Sequence, residues 1–484
     1  SLKSSYEWGI GTAREAKGVL DEALALVESN GVLALRHMLL ASRVYAVLSY
    51  GDAAAADATL QAMGAQGDPR QACESAHMYY LKAWAAFVRG DAGQAYEDLQ
   101  FALRAGVDGG MYLGLILDHL ALAQLLVVQG QNDEAQQHLD IARQAATRIG
   151  STLIELHCRY IAAQAALRQN RPDALRLIED ALRYGRERNL MLVLYWNPAV
   201  AFPLLAAALR AGIEVDYVQR VIACHELVPP QPPLDIEHWP WPVRIYTLGR
   251  FAVVCNGSAV KVSGKTQKKP LELLKLLIAL GGRDVPATRI VDMLWSDAEG
   301  DAAAQALRVA VHRLRKLLGD ERVVQVQDDG LSLDARFCWV DTWAFERLLP
   351  RARPDNRLVP EHVDDCKRGL VLYKGTFLGG RALSVWAVPL AERLRLKFLR
   401  YTFALGEYHE TQLRYDDAAE CYQRGLDVDD MVEEFYRRAI VCYQRLRRPA
   451  EARAVYERCR MVFKVAAGLE PSAALQRLLD DDTA

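Results

Sequence analysis

A chain of 484 residues, 51% hydrophobic and 25% charged, has a globular composition and room for about three domains. Its formal net charge of −2 excludes recognition of a polyanion by bulk charge, so any such surface must be local. The nine cysteines (Cys73, Cys158, Cys224, Cys255, Cys338, Cys366, Cys421, Cys442, Cys459) form no CxxC pair. Their odd number and dispersion argue against a disulfide framework or a zinc site and for free thiols in a reducing cytosol, hence a cytoplasmic protein.

No signal peptide opens the chain. Residues 111–128 are apolar, but Asp118, His119 and Gln124 interrupt them. A membrane span wants about 20 mostly apolar residues, so a buried helix is expected there and no membrane partner. The chain opens on Ser1 rather than Met, and the expectation is a processed or excised piece of something longer.

Residues 1–228 read as helical and repetitive. Breakers fall at Gly51-Asp52, Gly90-Asp91, Gly130-Gln131, Asn170-Arg171 and Ala211-Gly212, in steps of 39, 40, 40 and 41 residues. Each follows an apolar helix and precedes one richer in Ala, Glu and Gln. Ala95 aligns with Ala135, and Leu99 with Leu139. A helix pair that cannot bury its own apolar face stacks on the next, so an α-solenoid of about five hairpins is expected. Solenoids curve, and the concave groove would hold an effector, with Tyr79, Tyr80, Trp84, Tyr160, Tyr195 and Trp196 as candidate lining or core residues.

Residues 229–242 carry six prolines, at 229, 230, 232, 233, 240 and 242. That density forbids helix and predicts a stiff, extended linker.

Residues 243–346 change character. Residues 243–254 are rich in β-branched and aromatic side chains, and Asn256-Gly257 marks a tight hairpin turn. Three helices are expected, at 267–280, 287–294 and 302–318, and then a hairpin over 323–333. On a wheel of 100° per residue, Leu307, Val311, Leu314 and Leu318 form one core stripe, while Gln305, Arg308, His312, Arg313 and Lys316 spread over the other side and Arg315 sits near the edge. A short helix, a loop, a longer helix with a basic outer face and a following hairpin make a winged helix-turn-helix. Arg and Lys neutralise phosphates, and Arg can bind guanine O6 and N7 bidentately in the major groove of double-stranded DNA. Lys265, Lys268 and Lys269 lie at the start of the first helix, where free N–H groups and the dipole suit a phosphate. Residues 244–316 hold 13 basic and 6 acidic side chains, an excess of seven.

Residues 347–484 are helical again with a shorter period. Tyr422 aligns with Tyr456 and Ala418 with Ala452, an offset of 34, the tetratricopeptide (TPR) spacing, and Gly406, Ala418 and Tyr422 occupy its small and aromatic positions. The expected fold class is mainly α: a TPR-like α-solenoid, an α+β winged helix, then a second TPR-like helical domain.

The strings "LGRFAV" at Leu248, "ELLKLLIALGGRDV" at Glu272, "LW" at Leu294-Trp295, "GDAAAQALRVAVHRLRKLLG" from Gly300 and "CWVD" from Cys338 resemble the OmpR/PhoB-type winged helix of the bacterial antibiotic-regulatory-protein (SARP) class. The run "RPAEARAVYERCRMVFKVAAGLEP", ending at Pro471, resembles the close of the bacterial transcriptional activator domain, and the first 228 residues resemble the enlarged repeats of MalT-like sensor arms. The resemblance implies an activator that binds direct DNA repeats as a homodimer or tandem pair and touches RNA polymerase. Arg308, His312 and Arg313 would face bases or nearby phosphates, Arg315 and Lys316 would hold the backbone, and Trp295 would be core. SARP winged helices commonly stand at the N-terminus, whereas a solenoid precedes this one, as in large regulators whose arm receives a small molecule or an effector protein.

Other chemistry finds no support. Gly264-Lys265-Thr266 lacks the earlier glycine of a P-loop, since that position is Ala259. His225-Glu226 lacks the second histidine of a zincin. No catalytic, cofactor or metal constellation stands out, so no enzyme activity is expected. The alternative function class is a TPR interaction scaffold with a non-functional winged helix, which would bind proteins and no duplex.

Overall fold

Left-handed residues at near-40-residue spacing turn the first part of the chain into helical hairpins: Gly51, Gly90, Gly130, Asn170 and Gly212 have φ of +83°, +89°, +81°, +50° and +70°. The computed structural model describes residues 13–30, 35–64, 72–110, 112–191, 193–260, 267–296, 300–327, 329–349, 358–380 and 383–480. They fall into two compact units, Ser1–Pro240 and Trp241–Ala484.

In the first unit, the arm, helices α1 (Ala13–Ser29), α2 (Arg36–Leu48), α3 (Ala53–Gly64), α4 (Ala72–Arg89), α5 (Ala92–Asp108), α6 (Tyr112–Gln129), α7 (Asn132–Ile149), α8 (Thr152–Arg168), α9 (Ala174–Glu187), α10 (Pro198–Arg210) and α11 (Val215–Cys224) pack as antiparallel neighbours. Asp91 caps α5 by accepting from the Gln94 N–H at 3.1 Å, and Ser151 caps α8. The aligned pairs Ala95/Ala135 and Leu99/Leu139 are all buried, as stacked repeats require. Among the described residues one helix, α6, is long and apolar enough to cross a membrane; residues 120–127 are buried without interruption, the pattern of a core helix.

The aromatic residues named as candidate groove lining pack against the arm's own chain. Tyr195 stacks on Phe87 and Trp84 at centroid distances of 5.1 and 5.9 Å. Trp84 Nε1 donates to the Trp196 carbonyl at 2.7 Å, and Asn197 Nδ2 donates to the Phe87 carbonyl at 2.7 Å. Trp196 stacks on His225 at 3.8 Å, and His225 Nδ1 lies 2.7 Å from the Ser49 carbonyl. Tyr80, Trp84, Tyr160, Tyr195 and Trp196 are therefore core residues, and Tyr79 is half-buried against Phe101. Aromatic rings bury some 150–250 Å² each, so their packing is a large part of the arm's interior.

The proline segment departs from the extended linker that its composition predicts. Leu234, Ile236 and Trp239 donate to the carbonyls of Pro232, Pro233 and Ile236 in successive turns. Asp235 pairs with Arg210 at 2.6 Å, Gln219 Nε2 donates to the His238 carbonyl, and Trp239 meets Phe202 edge-on. Prolines forbid helix but not turns, and Trp239, Ile236 and Leu234 supply apolar surface that α10 and α11 bury.

In the second unit the single β-run expected at 243–254 is a hairpin. Strands β1 (Val243–Tyr246) and β2 (Ala252–Cys255) pair antiparallel, Val243 with Cys255 and Tyr246 with Ala252. Gly249 breaks the run at φ +85°, where a Cβ would come 2.8 Å from the Lys374 backbone. Asn256 and Gly257, at φ +46° and +79°, form the tight turn into β3 (Ser258–Ala259). Helix α12 (Lys268–Ala279), strand β4 (Val285–Pro286), α13 (Ala287–Leu294) and α14 (Gly300–Leu318) follow, then the wing β5 (Val324–Gln327) and β6 (Gly330–Leu333). Strand β7 (Cys338–Val340), too short to read from sequence, pairs parallel with β1 and closes a sheet of order β3-β2-β1-β7. Asp341, just beyond it, is buried and accepts from Thr247 N, Thr247 Oγ1 and Leu248 N at 2.6–2.8 Å.

Helices α15 (Asp341–Leu348), α16 (Val363–Leu372), α17 (Val388–Thr411), α18 (Tyr415–Leu426), α19 (Glu433–Arg445), α20 (Pro449–Ala467) and α21 (Ala473–Asp480) complete the unit. Gly406 is required: a Cβ there would sit 2.5 Å from the Tyr422 ring. Leu413 and Arg447, 34 positions apart, hold φ of +58° and +57° at equivalent turns. One continuous apolar core runs from Val243 through Leu314 and Phe398 to Leu475, so the winged helix and the helices after it share an interior.

Candidate nucleic-acid interface

The geometry of the recognition element follows from the period of its apolar residues. On α14, Ala303, Leu307, Ala310, Val311, Leu314 and Leu318 are buried against the unit's core. Gln305, Arg308, His312, Arg313 and Lys316 are exposed on the remaining surface. Arg308 Nε donates to Gln305 Oε1 at 3.0 Å, which presents the guanidinium and the amide together. Among the described residues, Arg308, Arg313 and Lys316 form no ion pair, so their charge is available to a ligand. Gly319 ends the helix at φ +70° with its N–H on the Arg315 carbonyl.

The wing is fixed to this helix from two sides. Ala287 N donates to the Asp329 carbonyl at 2.7 Å, and Val285 pairs with Leu331, which ties the hairpin to the start of α13. Arg315 Nε and Nη2 both donate to the Val324 carbonyl, at 3.0 and 2.7 Å. Gly282, at φ +73°, packs so closely that a Cβ would sit 2.6 Å from Trp343. Between α13, α14 and the wing opens a cleft of about 810 Å³ that includes Arg308 and His312. Its walls also carry Asp292, Glu321 and Asp329. Those carboxylates repel phosphates, so the favourable approach for a polyanion is the Arg313 and Lys316 side of α14.

Of the nine residues singled out from sequence, five thus share one face. Arg315 does not: it is half-buried and holds the wing strand, because its position at the edge of the core stripe puts the guanidinium against β5 rather than solvent. Lys269 is likewise engaged, donating to the Leu294 carbonyl at 2.9 Å, pairing with Glu272 at 3.4 Å and lying over Trp295, so it staples α12 to the end of α13. Lys268 is exposed at the first residue of α12, and Lys265 lies outside the described residues. Sequence reasoning passed over Arg283 and Arg289, both exposed beside and on α13, and Val326, half exposed on the wing. The charge excess of the segment was the only signal for the two arginines.

Two family matches bear on this unit. Residues 263–330 match the family described as "Transcriptional regulatory protein, C terminal", and residues 340–481 match "Bacterial transcriptional activator domain". The second unit belongs to the SARP class of bacterial transcriptional regulators. A curated relative of the chain is the regulatory protein AfsR of Streptomyces griseus, 25% identical over 231 residues, which is 46% of this chain and 23% of that protein. The chain therefore spans about a quarter of the length of that relative. Among solved structures, EmbR of Mycobacterium tuberculosis in complex with a low-affinity phosphopeptide is 21% identical with a TM-score of 0.40, covering 50% of this chain and 65% of that one. The TPR domain of P58(IPK) is 13% identical with a TM-score of 0.19, covering 93% of this chain and 96% of that one. The arm lies before both family matches.

Proposed function

We propose that this protein is a cytoplasmic, sequence-specific DNA-binding transcriptional activator whose α14 enters the major groove. The observation that carries the reading is the exposed face of Gln305, Arg308, His312, Arg313 and Lys316 beside an anchored wing. A straight helix with a free basic face and a rigid hairpin next to it matches the dimensions of one groove and its flanking backbone. Arg308 and Arg313 are assigned to bases or adjacent phosphates and Lys316 to the backbone. Lys268 supports a phosphate at the start of α12, where the helix N-terminus adds its own partial charge.

The helices after the wing act as the activator module toward RNA polymerase, with two copies on direct repeats, and the arm receives an effector protein or small molecule. The shared core supports the first part, since α16–α21 and the winged helix pack on one apolar interior.

The test is a duplex selected by the protein from a random library. Binding should be nanomolar and should weaken steeply with salt. Arg308→Ala combined with Arg313→Ala should weaken it on the order of 10²-fold or more, since each good contact is worth about 1–3 kcal/mol. Unchanged affinity in the double variant removes the assignment of α14, and failure to select any duplex removes DNA binding.

A further inference from the structure

Equivalent positions of successive repeats face the same side of a stack of hairpins. Trp84, Gln124 and Gln164 are such a series, 40 positions apart and each six residues before a breaker at Gly90, Gly130 or Asn170. All three are buried. The Trp84 N–H has a partner in the Trp196 carbonyl. The glutamines differ: among the described residues Gln124 Oε1 and Gln164 Nε2 have no hydrogen-bond partner. Both line a cavity of about 20 Å³ inside the arm, and so do His157 and Trp196. Both ring nitrogens of His157 and the Trp196 Nε1 are also without a partner among the described residues. Gln124, Gln164, His157 and Trp196 are 5%, 6%, 2% and 1% exposed.

The wall around these atoms is fixed. Trp196 stacks on His225, whose ring nitrogens lie 2.7 and 3.2 Å from the Ser49 and Met191 carbonyls. Asn197, in the same wall, donates to the Phe87 carbonyl and accepts from the Ala199 N–H. The Tyr160 hydroxyl, also in the wall, has Tyr217 as its neighbour. What is left over is an amide oxygen on Gln124, an amide N–H on Gln164, the indole N–H, and the donor and acceptor of a neutral imidazole. Burial pushes His157 down to about 3, so its ring is uncharged. No Lys, Arg, Asp or Glu is among the described residues that line the cavity. A charged ligand would lack a counter-charge there, so what fits is neutral and both donates and accepts. The rest of the wall, with Ile161, Val193 and Leu204, is apolar.

We propose that this cavity binds the head of a primary carboxamide, its N–H toward Gln124 Oε1 and its carbonyl toward Gln164 Nε2, with His157 and Trp196 as flanking partners. A carboxamide head presents two water-sized polar atoms on one carbon, and a cavity of about 20 Å³ holds about one or two such groups. The alkyl carbon takes the apolar wall, where a water molecule finds no hydrogen bond. Val200 and Ala201 are the lining residues that are not buried, so the way in is at the start of α10. The inference deepens the proposed role of the arm as a receiver and rests on that reading for its regulatory meaning; the binding itself does not.

The test uses the full chain and acetamide as the probe, followed by saturation-transfer NMR, with N,N-dimethylacetamide and ethanol as controls. Acetamide should bind saturably, and N,N-dimethylacetamide, which has no N–H to give, about tenfold more weakly or not at all. Gln124→Met and Gln164→Met, near in shape, remove the acceptor and the donor. Each should weaken acetamide by about tenfold or more. Each should also leave the melting temperature of the unliganded arm unchanged or raised, because an apolar group replaces an unpartnered buried amide. No saturable response in the parent protein, with the polar atoms served by water alone, overturns the site. So does equal binding of N,N-dimethylacetamide or ethanol, or retained binding in both variants. Where a variant fails to fold, the contrast between probes on the parent protein decides alone. Duplex affinity at saturating acetamide reads the receiver role separately: binding without a change in it keeps the site and removes the regulatory role.

Discussion

In the arm, Asp118, Gln124, His157, Gln164, Asn197 and His225 are all buried, and among the described residues Gln124 Oε1, Gln164 Nε2, Trp196 Nε1 and both ring nitrogens of His157 have no hydrogen-bond partner. In the SARP unit the side chains assigned to function lie outside the core and the buried Asp341 is engaged with Thr247 and Leu248, although Thr342, Tyr373, Thr402, His409 and Tyr436 each keep a buried polar atom without a partner among the described residues. Both units bury polar groups, but the arm buries more of them, including whole amides and imidazoles. The SARP unit presents charge outward on one continuous helix, as binding to a polyanion demands. The arm turns polar groups inward, where each unsatisfied one costs about 1–3 kcal/mol. An interior that carries such costs is held together by its aromatic contacts and by hydrogen bonds between residues more than a hundred positions apart, Trp84 to the Trp196 carbonyl and His225 to the Ser49 carbonyl.

The most severe challenge to that contrast is to empty the arm's centre. Trp196→Ala removes a fully buried indole and its stacking on His225, and should destabilise the arm by about 3–5 kcal/mol. Calorimetry should show the arm transition falling while duplex binding by the other unit persists; loss of both together would mean that the units are energetically one. Next in size is Arg315→Ala, which leaves the Val324 carbonyl without its two donors and should cost about 1.5–3 kcal/mol, with Arg315→Lys failing to restore the forked geometry. A drop in duplex affinity at unchanged stability would instead return Arg315 to the phosphate backbone.

Acid should act on the arm through His157, whose buried ring is pushed down to about 3. A histidine with a depressed folded value contributes stability above its ordinary value near 6.5 and loses it as the pH falls, at about 1.4 kcal/mol per unit. Asp118, raised to about 7, has the opposite sign: its contribution is present at low pH and fades as the pH rises toward 7. His157→Phe should therefore make the arm less acid-sensitive between pH 6.5 and 5, read by urea unfolding at several pH values, and an unchanged slope would show that the ring is protonated without penalty. The smallest effect belongs to Lys316→Ala. It should lower the salt dependence of duplex binding by about one unit of slope with little change in sequence preference.

Much of this was legible in the residues. The breakers near every fortieth position mark the arm's hairpins, because a left-handed turn is cheap at glycine or asparagine and the intervening helices need about 17 residues to cross the layer. The stripe through Leu307, Val311, Leu314 and Leu318 placed the exposed face of α14 opposite them for the same local reason: a helix has a fixed period. The protein partners of Arg315 and Lys269 were not legible, because a residue at the rim of such a stripe can point either way, and the neighbour that decides, a carbonyl on β5 or at the end of α13, is not adjacent in sequence.

The sequence by itself determined where helices begin and end, which face of each is apolar, and where positive charge collects, since these follow from backbone preferences and period over a few residues. Tertiary structure alone decided that the segment through Tyr195 and Trp196 would pack on Phe87 and Trp84, that three residues at 338–340 would pair in parallel with β1, and that Asp118 would be buried beside a small cavity. Those outcomes depend on which distant surfaces meet, and contact between remote parts of a chain is settled by packing the whole interior at once.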